Sequence, residues 1–207
     1  MSANLVLFCV AAFVLIVTPG PNFFYVLTRG AAHGRRAGVI AACGLGAGVL
    51  VHTTLATIGV AALVRSSYLA FRAIKYGGSV YLIVLGIRAL RERPVAPATA
   101  PAMRRSDGRV FWQSIVASMT NPKTILFFLS FLPQFVAGPP AAASRQMLVL
   151  GGIYMLLTVM VYSAVACLAG SATRWLREGQ VRAARLRWLT GTSFIGLGVW
   201  AALPDRR

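Results

Sequence analysis

Four stretches free of Lys, Arg, Asp and Glu dominate the chain: Ser2 to Thr28, Ala37 to Val64, Val110 to Ser144 interrupted only by Lys123, and Gln146 to Thr173. Each exceeds the roughly 20 apolar residues that cross a bilayer as helix. Two shorter segments, Tyr76 to Ile87 and Trp188 to Pro204, are flanked by Lys75 and Arg88 and by Arg187 and Asp205. Long cationic stems reach the interface from such positions, so both count as spans. The runs are continuously apolar, whereas barrel strands alternate in polarity over about ten residues. The pattern predicts an all-α integral membrane protein of about six transmembrane helices. Met1 to Asn4 carry no cation ahead of the first run, which is therefore expected to remain as a span and not as a cleaved leader.

Two of the predicted helices are interrupted. Thr18-Pro19-Gly20-Pro21-Asn22 removes two amide donors around a glycine, so carbonyls near Leu15, Ile16 and Val17 lose helical partners and span one breaks. Asn121-Pro122-Lys123 reads as a new helix start inside span four, with Asn at the cap and Pro at the first helical position. Pro19 and Pro122 stand 103 positions apart, and the third spans echo each other at a similar offset, Leu82 to Ile87 against Phe194 to Val199. The one stretch with linker composition is Arg91 to Arg109, rich in Pro and Ala. The reading is a single transporter-like domain over 1–207: repeat one in 1–90, a cytoplasmic linker in 91–109, and repeat two in 110–204. Because three spans are odd in number, the second copy enters the membrane from the opposite side. Inverted three-helix repeats with broken helices 1 and 4 commonly build alternating-access transporters, an analogy at the level of fold.

Composition agrees: 57% of residues are apolar and 12% charged, where soluble domains carry about a quarter charged residues. The formal charge of +17 could suggest nucleic acid, but the cations alternate from loop to loop. Fourteen lie in loops one (Arg29, Arg35, Arg36), three (Arg88 to Arg109) and five (Arg174 to Arg187), against six on the other side. The positive-inside rule makes the richer side cytoplasmic and places both termini outside. Attraction to anionic lipid accounts for these loops, and no stacking aromatics interleave them as a nucleic-acid binder requires. Cys9, Cys43 and Cys167 lie within spans without metal-ligand spacing and read as packing residues, so neither a metal nor a cofactor is expected.

The breaks carry the candidate chemistry. A helix starting near Asn22 presents amides and a positive dipole end that suit a carboxylate, although a packed kink is the plainer alternative. Lys123 is the lone charge of its run and a candidate partner for a substrate carboxylate, unless it snorkels to the cytoplasmic surface. His52 lies in the middle of span two on the face of Gly44 and Gly48, where another helix can approach. With no Asp or Glu in any span, His52 is the leading proton carrier if proton coupling exists. Arg72 and Lys75 read as headgroup anchors; Tyr25, Tyr81 and Gln113 are hydrogen-bonding groups that any bundle in lipid needs. Gly-rich spans two and five offer close-packing faces that serve a homodimer or the internal fold equally.

Several motifs, in order, resemble the lysine exporter and homoserine/threonine resistance translocators along nearly the whole chain. They are Thr18 to Asn22, Gly34-Arg35-Arg36-Ala37-Gly38, Gly44 to Gly48, Lys75-Tyr76-Gly77-Gly78 with Tyr81-Leu82 and Leu85-Gly86, and Asn121-Pro122-Lys123 leading into Phe131-Leu132-Pro133-Gln134-Phe135. The resemblance implies a bacterial inner-membrane secondary exporter of amino acids driven by an ion gradient, expected to be protons, and not an enzyme. Without an intramembrane acid to face a cationic cargo, the chain is closer to the homoserine/threonine branch. The substrate-binding expectation falls on Pro19, Gly20, Pro21, Asn22, Asn121, Pro122 and Lys123. The alternative is a non-transporting helper or a channel-like pore for small polar solutes.

Overall fold

The computed structural model describes residues 2–66, 106–136 and 140–169, with individual helical positions between 76 and 91 and between 188 and 202. Every regular element among them is helical: α1 (Ser2–Val17), α2 (Pro21–His33), α3 (Arg35–Ser66), α4 (Asp107–Met119), α5 (Pro122–Leu126) and α6 (Pro140–Cys167). From α5 the chain continues through a π-helical turn, Phe127–Phe131, into a 3-10 turn, Leu132–Phe135. Residues 92–105 of the expected linker, Arg72, Lys75 and residues 170–187 of the fifth loop lie outside the described residues.

Local chemistry accounts for the boundaries. α1 ends at Val17 because Pro19 and Pro21 offer no amides to continue it, and α2 restarts with Pro21 in its first turn behind the extended Gly20. Gly34 closes α2 in the left-handed region at φ 88°, with its N–H on the Gly30 carbonyl, a conformation that favours glycine. The π turn precedes Pro133, whose ring crowds the carbonyl four residues back. The backbone widens there, and the Leu132 N–H reaches the Phe127 carbonyl five positions earlier.

Two helical stretches are long and apolar enough to cross a bilayer alone, Arg35–Gly59 of α3 and Ala142–Cys167 of α6. Counting each bent pair as one span, α1 with α2 (56°) and α4 with Pro122–Phe135 (53°), raises the number to four. The described positions of the expected third and sixth spans are helical and meet at small residues. A Cβ on Gly86 would stand 2.6 Å from the Gly191 carbonyl, and one on Gly198 would stand 2.8 Å from that of Ser79.

α3 is the central helix. Its stretch is 56% buried, against 28% for α6, which turns Leu148, Val149, Leu156 and Met160 outward as a lipid-facing surface does. The glycines of α3 are used internally on two sides. Gly44 and Gly48 lie against Phe111, Ser114 and Ser118 of α4, while Gly46 lies against Met155 and Val159 of α6, which also places Gly151 against Thr53. The packing expectation for the cysteines is corrected at two of three positions: Cys43 and Cys167 are exposed and Cys9 is half-buried. Both exposed thiols sit on helix faces that the described neighbours do not cover.

The ends bearing the basic loops converge. Arg36 at the start of α3 pairs with Asp107 at the start of α4 at 2.7 Å. Gly30 and Gly38 close on Ala166 and Ala169 at the end of α6. The end of α2, the starts of α3 and α4 and the end of α6 therefore share one end of the bundle. With side chains 85% and 50% exposed, the Arg36–Asp107 pair itself contributes little. Asp107→Asn is expected to cost less than about 1 kcal/mol, a small shift in thermal unfolding of the detergent-solubilised protein.

Candidate functional site

The two helix breaks meet. Lys123, in the first turn of α5, extends its ammonium to the carbonyl of Thr18, and Nζ donates at 2.9 Å across 105 positions of sequence. Lys123 is only 7% exposed, so it does not snorkel to a surface. Gly20 faces the same side chain, since a Cβ there would stand 3.7 Å from both Cδ and Nζ of Lys123. Asn121 caps α5, its side-chain oxygen accepting from the Lys123 N–H at 3.1 Å, which fixes the direction in which the lysine leaves the backbone.

Break one thus presents two helix ends to one place. Thr18 follows the C-terminal, negative end of α1, and the Thr18 hydroxyl still donates to the Val14 carbonyl at 2.6 Å. Asn22 lies in the positive first turn of α2, which no side chain caps. Asn22 is 6% exposed, and its Oδ1 has no hydrogen-bond partner among the described residues. A buried acceptor without a donor is costly and marks a place where a ligand can bind.

His52 belongs to break two. Pro122 has no N–H for the carbonyl of Ser118, four residues earlier; that carbonyl accepts instead from the Asn121 N–H at 3.2 Å and from His52 Nε2 at 3.1 Å. A carbonyl only accepts, so the proton of this bond is on Nε2. The imidazole also stacks on Phe128 at 5.8 Å, beyond the break. Gly44 and Gly48 allow this contact by letting α4 approach α3: a Cβ on Gly48 would lie 2.5 Å from that of Ser118.

Toward α6 the site is closed by rings. Phe127, Phe128 and Phe131 are each 1% exposed, and Tyr154 packs on Phe127 at 4.8 Å and on Phe128 at 5.3 Å. Toward the basic end, Arg29 Nη2 donates to Gln113 Oε1 at 3.1 Å and its guanidinium lies 5.2 Å from the centre of the Tyr25 ring. The Ser114 hydroxyl approaches that of Tyr25 at 3.4 Å. Polar side chains tie α2 to α4 on one side of the breaks, and a buried aromatic layer covers the other.

Of the residues singled out from sequence, Gly20, Asn121, Pro122 and Lys123 are brought together with Thr18, while Pro19, Pro21 and Asn22 shape the break they face. His52 is one helix away, on the other side of Pro122. Sequence reasoning passed over Thr18 and Ser118, whose contribution is a backbone oxygen. For Ser118 a signal existed, since it lies four residues before Pro122; for Thr18 there was none.

The helix-breaking pattern has a counterpart among known proteins, for the family model described as LysE type translocator matches residues 13–204. The chain belongs to the LysE type translocator family. It is 33% identical over 190 residues to a leucine efflux protein of an Enterobacter species, covering 91% of this chain and 90% of that protein. It is 31% identical over 189 residues to a homoserine/homoserine lactone efflux protein of Salmonella typhimurium, covering 91% of each. A membrane protein of Vibrio cholerae without a described function is 32% identical over 195 residues, 94% of each chain. No solved structure matches. Family membership makes this LysE-type chain a membrane-embedded translocator and not an enzyme.

Proposed function

We propose that this LysE-type chain is a secondary exporter of amino acids with uncharged side chains, homoserine or threonine among them, across the bacterial inner membrane, coupled to protons. The observation that carries the reading is the bond between Lys123 and the Thr18 carbonyl. It joins the two interrupted helices into one buried polar centre, and non-helical backbone at membrane depth is tolerated where it serves such a centre. The similar bends of 56° and 53° support two inverted three-helix repeats, with six spans in all. Convergence of the basic corners supports a cytoplasmic face there and both termini outside. Among the described residues the only carboxylate is Asp107 at the exposed end, which fits cargo without a cationic side chain. Leucine, homoserine and homoserine lactone, named for the relatives, share an α-amino group, and a lactone has no free carboxylate.

Everted membrane vesicles supplied with labelled amino acids, with and without a proton gradient, test cargo and coupling together. Saturable, gradient-dependent uptake is expected; flux that neither saturates nor follows the gradient would make the protein a pore. His52 is the proposed proton carrier, because its bond to Ser118 ties an ionisable ring to the geometry of break two. His52→Gln is expected to flatten the pH dependence of uptake, and an unchanged pH profile removes His52 from the coupling.

A further inference from the structure

A lysine cation suits a carboxylate, yet Lys123 Nζ donates to a carbonyl. The Thr18 oxygen follows the negative end of α1, is buried with its residue, and accepts from an alkylammonium at 2.9 Å. By that contact it is an ammonium-binding position. Four residues on, Asn22 Oδ1 is a second acceptor, buried and without a partner. An ammonium has three donors, enough for both oxygens. The uncapped first turn of α2 supplies the opposite polarity, suited to a carboxylate.

Resting on the exporter reading above, we propose that Lys123 is a tethered competitor of the cargo. The α-ammonium of the amino acid displaces the Lys123 ammonium from the Thr18 carbonyl and also donates to Asn22 Oδ1. The released Lys123 then meets the cargo's carboxylate. One cation leaves the carbonyl and one arrives, and the carboxylate neutralises the lysine, so the buried charge does not grow as the zwitterion enters. The handle that selects cargo is then the amine, and the carboxylate adds affinity through Lys123.

The test is equilibrium competition on the full-length transporter in lipid nanodiscs, against the labelled amino acid of highest flux. The competitors are that amino acid, its methyl ester, which keeps the ammonium, and its 2-hydroxy analogue, which keeps the carboxylate. The ester is expected to compete within about tenfold of the amino acid and the hydroxy acid about a hundredfold more weakly, as loss of a buried charged hydrogen bond implies. Lys123→Met removes the competitor and is expected to tighten ester binding about tenfold while weakening the amino acid. Asn22→Asp, whose charge suits an ammonium, is expected to tighten the ester too and carries the test if Lys123→Met does not insert. A hydroxy acid that competes as well as the amino acid, or an ester that binds more weakly to the variants, overturns the exchange. Absence of flux for every amino acid overturns the exporter reading and the exchange with it, whereas flux with the reversed ranking overturns the exchange alone.

Discussion

Export by Lys123→Met is expected to fall by about a hundredfold relative to the parent protein at equal amounts in the membrane, a factor that corresponds to losing one buried, charge-assisted hydrogen bond. The bond in question joins Nζ to the Thr18 carbonyl and ties α5 to the break after α1. Methionine has similar length and no donor, so Thr18 keeps its burial and loses its partner. Packing around Gly20 is largely retained, because the side chain still fills the space 3.7 Å from that position. Insertion should therefore survive while transport does not. Lys123→Arg is expected to recover part of the rate, since a guanidinium donates but reaches farther and lies flat. Initial rates in everted vesicles, normalised to inserted protein, provide the measurement. Rates for Lys123→Met equal to those of the parent would remove the paired breaks from the transport site.

The positions of the breaks were legible because proline's missing N–H acts on the chain that contains it. Pro19, Pro21 and Pro122 end or restart helices wherever the rest of the bundle lies. The cap at Asn121 was legible for the same reason. His52 was placed on the correct face because helical periodicity puts positions 44, 48 and 52 in one line. Its acceptor was within reach of the same logic, since a proline at 122 denies the carbonyl at 118 its helical donor and leaves it to the Asn121 N–H and the imidazole.

What the chain does not spell out is which distant atoms these local features meet. Thr18 presents a peptide oxygen, a group every residue has, so nothing in its identity distinguishes it from its neighbours as the acceptor for Lys123. Gln113 and Arg29 are 84 positions apart and pair only because α4 crosses α2 at that height. The cysteines failed differently. Placement within an apolar run says that a residue is out of water, and lipid satisfies that requirement as well as a protein neighbour does, so Cys43 and Cys167 could be apolar in setting and yet exposed. Charge alternation between loops is a long-range signal of another kind. It depends only on which side of the membrane each loop occupies, and the Arg36–Asp107 contact brings two of the basic loops to the same end.

The other large effect lies in the contact that supports His52. Gly48→Val is expected to destabilise the folded bundle by about 3 kcal/mol, the upper part of the range for overpacking a close contact. A Cβ at 48 would already stand 2.5 Å from Ser118 Cβ and 3.0 Å from the Ile115 carbonyl, and backbone at that distance cannot move aside alone. Relief requires α4 to draw back from α3, and the His52 bond to the Ser118 carbonyl stretches with it. Gly48→Val should thus lose folded yield and, in whatever inserts, the pH response attributed to His52. Gly152→Ala is the control: a Cβ there meets nothing within 4 Å, and the better helix former should leave stability equal or raise it by about 0.5–1 kcal/mol. Thermal unfolding in detergent reads both variants. Equal melting temperatures for Gly48→Val and the parent would show that α4 does not pack on α3 at this glycine, and His52 would lose its acceptor.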